Sequence, residues 1–170
     1  FPGPEDVTAA TSLGERSTTR EADFEAEWTV RNEMGERLTV LSPFYRLALA
    51  SRNAAFQGQA LKPKEPERLL RAAKDGLSFW VELKGQSEGF ARHLAPRLLV
   101  MAEKGPPRVI GPTFVQNERT ALAGGDGFVA RCLYGFSTKD LSASSRLTLV
   151  VRDRDEREVS RFEVDLGAMR

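Results

Sequence analysis

Residues 38–83 read LTVLSPFYRLALASRNAAFQGQALKPKEPERLLRAAKDGLSFWVEL, and the rest of the chain reads as β-structure around them. A short apolar run, Leu38 to Leu41, leads directly into Ser42-Pro43. That pair is a helix start. The Ser42 hydroxyl can accept from a free backbone N–H, and Pro43 suits the first helical position, where its missing donor costs nothing. Phe44, Leu47, Ala48, Ser51 and Ala55 then share one helical face, which predicts a helix over about 43–56 that Gly58 ends. After a loop holding Pro63 and Pro66, a second helix is expected over about 66–74, stopping at Asp75-Gly76. It offers Leu69, Leu70 and Ala73 for burial and turns Glu67, Arg68, Arg71 and Lys74 outward. The four-residue spacing of Glu67 and Arg71 adds about 0.3 kcal/mol on an exposed helix. Neither helix is long enough to stand alone, so both are expected to pack on a sheet. The chain re-emerges as a strand in which Leu77, Phe79, Val81 and Leu83 face one way and Ser78, Trp80, Glu82 and Lys84 the other.

Upstream, Phe24, Ala26, Trp28 and Val30 alternate with polar residues, as a half-buried strand does. Asn32 to Gly35 is a turn, and 37–41 is the returning strand of a hairpin. Residues 1–22 are rich in Thr, Ser, Glu and Ala with little apolar period, and read as a flexible tether ahead of a single domain over 23–170. Downstream, strands are expected over 97–102, over 108–110 as a short edge strand after Pro106-Pro107, and over 128–136, 146–152 and 158–166. Asp153 to Glu156 is a charged hairpin turn. In the segment 111–127, Phe114 and Val115 are the expected anchors, and Ala123 to Gly127 a flexible turn. Strands spaced by roughly ten residues, with turn signals between them, predict a β-rich (α+β) chain folded as an antiparallel β-sandwich, with a two-helix insertion over about 42–75.

The order of these elements carries a resemblance. A strand enters Ser42-Pro43 and an alanine-rich helix with Arg52. A Pro-Glu helix with Leu69-Leu70 follows, then Phe79 to Leu83, Arg97 to Val100, Arg131 to Phe136 and Leu147 to Val151. Over about residues 24–166 the chain resembles a group of uncharacterised bacterial envelope lipoproteins of the delta-proteobacterial type. The resemblance implies an immunoglobulin-like sandwich with a helical insertion and an exported, membrane-tethered location. It carries no catalytic residues with it.

Composition narrows the function classes. The chain has 170 residues, 41% of them hydrophobic, enough for a sizeable core. Twenty-five basic residues against 24 acidic ones leave a net charge of +1, without a like-charge block, so nucleic acid is not the expected partner. No apolar run approaches the roughly 18 residues of a membrane-spanning helix. The sequence opens at Phe1 rather than Met, and the expectation is a chain anchored upstream of Phe1 through a lipidated cysteine. A cytosolic chain is the alternative.

The residues that carry chemistry are few. Cys132 is the single cysteine, so no disulfide forms within the chain, and its place in a strand marks it as a small buried hydrophobe. With one histidine, His93, and one cysteine, a zinc site lacks ligands. Asp153, Asp155 and Glu156 have a loosely calcium-like spacing, but Arg154 and Arg157 interrupt it and the loop glycine is missing, so a solvated turn is expected. No Gly-x-Ser-x-Gly elbow accompanies any serine, and the glycines at 124–127 lack the spacing of a phosphate loop. The expected role is a non-catalytic accessory or protein-binding module of the envelope, with no catalytic, metal or cofactor residues. Other envelope proteins are its partners, and Tyr45 and Trp80 its candidate contacts, because their elements also carry polar residues. The alternatives are a hydrolase-type enzyme using His93 and the 111–127 segment, and a cytosolic ligand-binding domain.

Overall fold

The computed structural model of the chain describes residues 4–16, 26–72, 75–118, 121–122, 127–139 and 141–169. The first element is a helix, α1 (Pro4–Arg16). Over residues 4–16 this corrects the tether expected over 1–22; residues 1–3 and 17–22 lie outside the described residues. Ala10 and Gly14 are buried against a second helix, and Ser51 Oγ donates to the Thr11 carbonyl at 2.7 Å. The helix escapes an apolar-period reading because the fully buried positions of its contact face are small, Ala10 and Gly14, with Val7 and Leu13 only partly buried beside them. Close backbone approach substitutes there for large side chains.

The strand expected from residue 24 is the second correction. Ala26–Trp28 is a turn of 3-10 helix, and strand β1 is only Thr29–Arg31; Phe24 lies outside the described residues. Trp28 does not join the sandwich core. Its ring lies 4.6 Å from that of Tyr45 and 6.0 Å from that of Phe44, among the helices. β1 turns through Gly35, at φ 74°, into β2 (Arg37–Leu41) and pairs with it antiparallel.

Helix α2 (Pro43–Phe56) begins where the Ser42-Pro43 pair places it, with Ser42 Oγ accepting from the Tyr45 N–H at 3.1 Å. Gly58, at φ 72°, follows its end. Helix α3 (Glu65–Ala72) buries Leu70, while Ala73 and Lys74 lie outside the described residues. The helices were expected to pack on a sheet. They pack chiefly on one another instead, around a core of Ala10, Trp28, Phe44, Tyr45, Leu47, Ala48 and Leu70. The apolar faces of three short helices complete each other there, and Leu41 links this core to the end of β2.

The remaining strands are β3 (Gly76–Gly85), β4 (Ala95–Val100), β5 (Arg108–Ile110), β6 (Phe114–Asn117), β7 (Ala121–Leu122), β8 (Phe128–Ser137), β9 (Arg146–Arg152) and β10 (Glu158–Asp165). One sheet runs β1-β2-β3-β8-β6, with β7 also paired to β8; the other runs β10-β9-β4-β5. Every pairing is antiparallel. The chain changes sheet between β3 and β4, between β5 and β6, and between β8 and β9. Hence β2-β3-β8-β6 faces β5-β4-β9-β10, the A-B-E-D and C′-C-F-G order of an immunoglobulin domain. The fold is an immunoglobulin-like β-sandwich, and the two helices α2 and α3 connect neighbouring strands of one sheet.

The sandwich core draws on alternate positions of both sheets, including Leu38, Phe79, Val81, Tyr134, Phe136, Leu149 and Phe162. Strand β9 is buried on both faces: Thr148 and Val150 lie on the outer side, 5% and 2% exposed. In register, Val150 sits between Arg97 and Arg161, whose aliphatic stems are placed to flank it. Phe114 and Val115, the expected anchors of their segment, are 48% and 40% exposed instead, because β6 is an edge strand. The inward anchor is Asn117, which donates to the Leu94 carbonyl at 3.0 Å and accepts from Tyr134 Oη at 2.8 Å.

Candidate functional site

The outer face of the sheet containing β2, β3 and β8 is ordered in rows. At one level the register is Thr39, Trp80, Leu133; at the next it is Arg37, Glu82, Arg131. Alternation places all six side chains away from the core. Helix α2 leaves the end of β2 beside this face and brings Tyr45 and Leu49 to its border. The result is a hollow of about 220 Å³. Trp80, Arg37, Arg131 and Glu82 line it on the sheet side, with Thr39 between, and Leu41, Tyr45 and Leu49 on the helix side.

Trp80 is 47% exposed, against 1% for Trp28. Arg37 Nη2 meets Glu82 Oε2 at 2.9 Å, a half-buried ion pair that holds both side chains across the strand junction. Arg131, opposite Glu82 on the other side, is exposed, and among the described residues it makes no ion pair. On the far side of the Trp80 row, Arg46 Nη2 donates to Ser78 Oγ at 2.7 Å, and burial lowers the Arg46 pKa from its ordinary value. A guanidinium stays protonated regardless; the hollow itself is lined by two arginines, Arg37 and Arg131, and one carboxylate, Glu82.

Both residues singled out in the sequence, Tyr45 and Trp80, line this one hollow. They differ in role. Tyr45 is 2% exposed and packed at a tilt against Trp28, so it forms the wall, whereas Trp80 is 47% exposed. Sequence reasoning missed Arg37 and Arg131. The signal that marks them is register: both fall on the outward positions that flank Glu82 once the hairpin and the β3–β8 pairing are drawn.

The other candidates are dispersed. His93 is exposed on the turn before β4 and is not among the residues lining the hollow. Asn117, from the 111–127 segment, does reach the neighbouring Leu94 carbonyl, in a half-buried bond that ties β6 to the turn before β4. The glycines at 124 and 125 lie outside the described residues. Cys132 is 1% exposed, and burial pushes its thiol pKa up, as it does the phenol of Tyr134. Asp153 Oδ1 accepts from the backbone N–H groups of Asp155 and Arg157, each at 2.9 Å, so that carboxylate closes its own turn. Among the described residues no three metal-ligating side chains gather.

No family model and no curated protein matches the chain. Among the solved structures that the chain is similar to are two at low identity. A protein of unknown function from Burkholderia pseudomallei K96243 is 11% identical, with 96% of this chain and 95% of that one aligned at a TM-score of 0.44. The IgNAR antibody domain C3 is 12% identical, with 81% of this chain and 96% of that one aligned at 0.34. The immunoglobulin-like assignment stands on the strand order and pairing of the chain itself.

Proposed function

We propose that this chain is a non-catalytic protein-binding module of the bacterial envelope, tethered there through a lipid anchor. One observation carries the binding part: an exposed tryptophan and an arginine outside any described ion pair line the same hollow on a rigid sheet face. Trp, Tyr and Arg are enriched among the few residues that dominate binding energy at protein interfaces. A hollow of about 220 Å³ takes a partner's side chain. Enclosed small-molecule sites typically start at about 300 Å³. The envelope part is supported by the resemblance of residues 24–166 to lipoproteins of that compartment.

Two measurements test the two parts separately. A photo-crosslinking amino acid replaces Trp80 in cells, with the same residue replacing Val109, exposed on the other sheet, as the control. Crosslinks at 80 and none at 109 are expected; equal yields at both overturn the binding reading. Radiolabelled palmitate incorporation and fractionation of the product of the intact gene test location. An unlabelled cytosolic product overturns the envelope part.

A further inference from the structure

We infer that the hollow recognises an acidic segment of a partner protein, with an apolar side chain seated against Trp80 and a neighbouring carboxylate held by Arg131. This rests on reading the hollow as the binding surface. The argument is charge complementarity. Along one register row stand Arg31, Arg37, Glu82, Arg131 and, across from Arg131 on its far side, Glu118, three cations against two carboxylates. Arg37 already engages Glu82 at 2.9 Å. Arg131, exposed and without a described ion pair, is left to present its planar fork to solvent at the mouth of the hollow. A guanidinium binds a carboxylate through two parallel hydrogen bonds, which fixes direction as well as charge. In the row above, Trp80 stands between Thr39 and Leu133, with Leu41 and Leu49 closing the helix side. An occupant that satisfies both rows carries an aliphatic residue next to an acidic one. It is read through side chains, since β3 lies between β2 and β8 and has no free backbone edge.

The two tryptophans make the test direct, because one indole N–H is buried and one faces the hollow. Capped eight-residue peptides with a central Glu-Leu-Glu are titrated against the isotope-labelled protein. Matched peptides carry Lys-Leu-Lys and Gln-Leu-Gln, and a galacturonate oligomer is a further probe. The acidic peptide is expected to shift the Trp80 indole signal and leave that of Trp28 in place. Binding weakens at least about tenfold in Arg131→Glu and several-fold between 50 and 500 mM salt, as a solvent-accessible charge contact requires. Arg131→Lys, which keeps the charge but loses the fork, falls between. Equal binding of the neutral or basic peptide at Trp80 overturns the acidic preference and leaves the binding surface standing. Binding of the galacturonate without the peptide overturns a protein partner. No shift with any probe overturns the inference, while the crosslinking result at position 80 decides the broader reading independently.

Discussion

Ser160 Oγ donates a hydrogen bond to Glu36 Oε1 at 2.7 Å, joining residues 124 positions apart and the two sheets of the sandwich. The same carboxylate takes Asn32 Nδ2 at 2.9 Å and, on its other oxygen, the Lys84 N–H at 2.8 Å. Glu36 is 1% exposed, so a buried charge clasps the β1–β2 turn, the end of β3 and strand β10. Removing it leaves Ser160 and the Lys84 N–H without their acceptor. Glu36→Ala is expected to cost about 3 kcal/mol, and Glu36→Gln, which keeps the shape and one acceptor, about 1 kcal/mol. Urea denaturation measures both; a neutral Glu36→Ala contradicts the clasp.

Helix α1 docks by backbone proximity. A Cβ on Gly14 would fall 2.1 Å from the Ala48 carbonyl oxygen and 2.7 Å from the Arg52 nitrogen, and backbone atoms cannot yield as a flexible side chain can. Gly14→Val is expected to lift α1 and destabilise the protein by about 1–3 kcal/mol. Because the helical core and the sandwich core are distinct clusters, hydrogen exchange should quicken in α1 much more than in β3, β8 and β9. Equal protection of α1 in the variant and the parent refutes this packing.

The interior face of β8 sets an alkaline limit. Burial pushes up the pKa of Cys132 and of Tyr134, from ordinary values of 9.0 and 10.0. The folded state therefore favours both protonated forms. The resulting stability is fully present below pH 9 and is lost as pH rises past those values toward the folded ones. Denaturation midpoints are expected to fall from about pH 9 upward, and the fall should be shallower in Tyr134→Phe. That variant also leaves Asn117 Oδ1 without its donor, costing about 1 kcal/mol at neutral pH. A thiol reagent should label Cys132 at pH 8 only as fast as the protein opens. Rapid labelling of the native protein contradicts this.

Trp80 and Arg131 are surface residues, and their removal should leave the fold intact. Trp80→Thr gives up cross-strand contacts with Thr39 and Leu133 at a half-exposed position, an effect of about 1 kcal/mol. Thermal unfolding of Trp80→Thr and Arg131→Glu should stay close to the parent, within a few degrees. A collapse of either variant makes the residue structural.

Much of the architecture was legible because burial on one face imprints a period. Leu77, Phe79, Val81 and Leu83 mark a strand wherever they occur, and Ser42-Pro43 marks a helix start by local chemistry alone. The failures share a cause as well. Trp28 fits a strand alternation, yet its ring is taken by Phe44 and Tyr45 of the helical core. Phe114 and Val115 are apolar enough for a core, yet an edge strand leaves them in water. In the candidate site, Tyr45 and Trp80 were visible as aromatics on mixed faces. Arg37 and Arg131 were not, because each is one arginine among many until strand register sets them beside Glu82.

By itself the sequence determined element type and core face across most of the chain, since 3.6- and 2-residue periods are local properties of the backbone. Only the tertiary structure decided what each face meets: that α1 docks through glycine, that Glu36 is interior, and that Trp80 and Arg131 border one hollow. Those facts depend on the relative placement of segments far apart in the chain, and no local period encodes a distance between two strands or a bond across 124 positions.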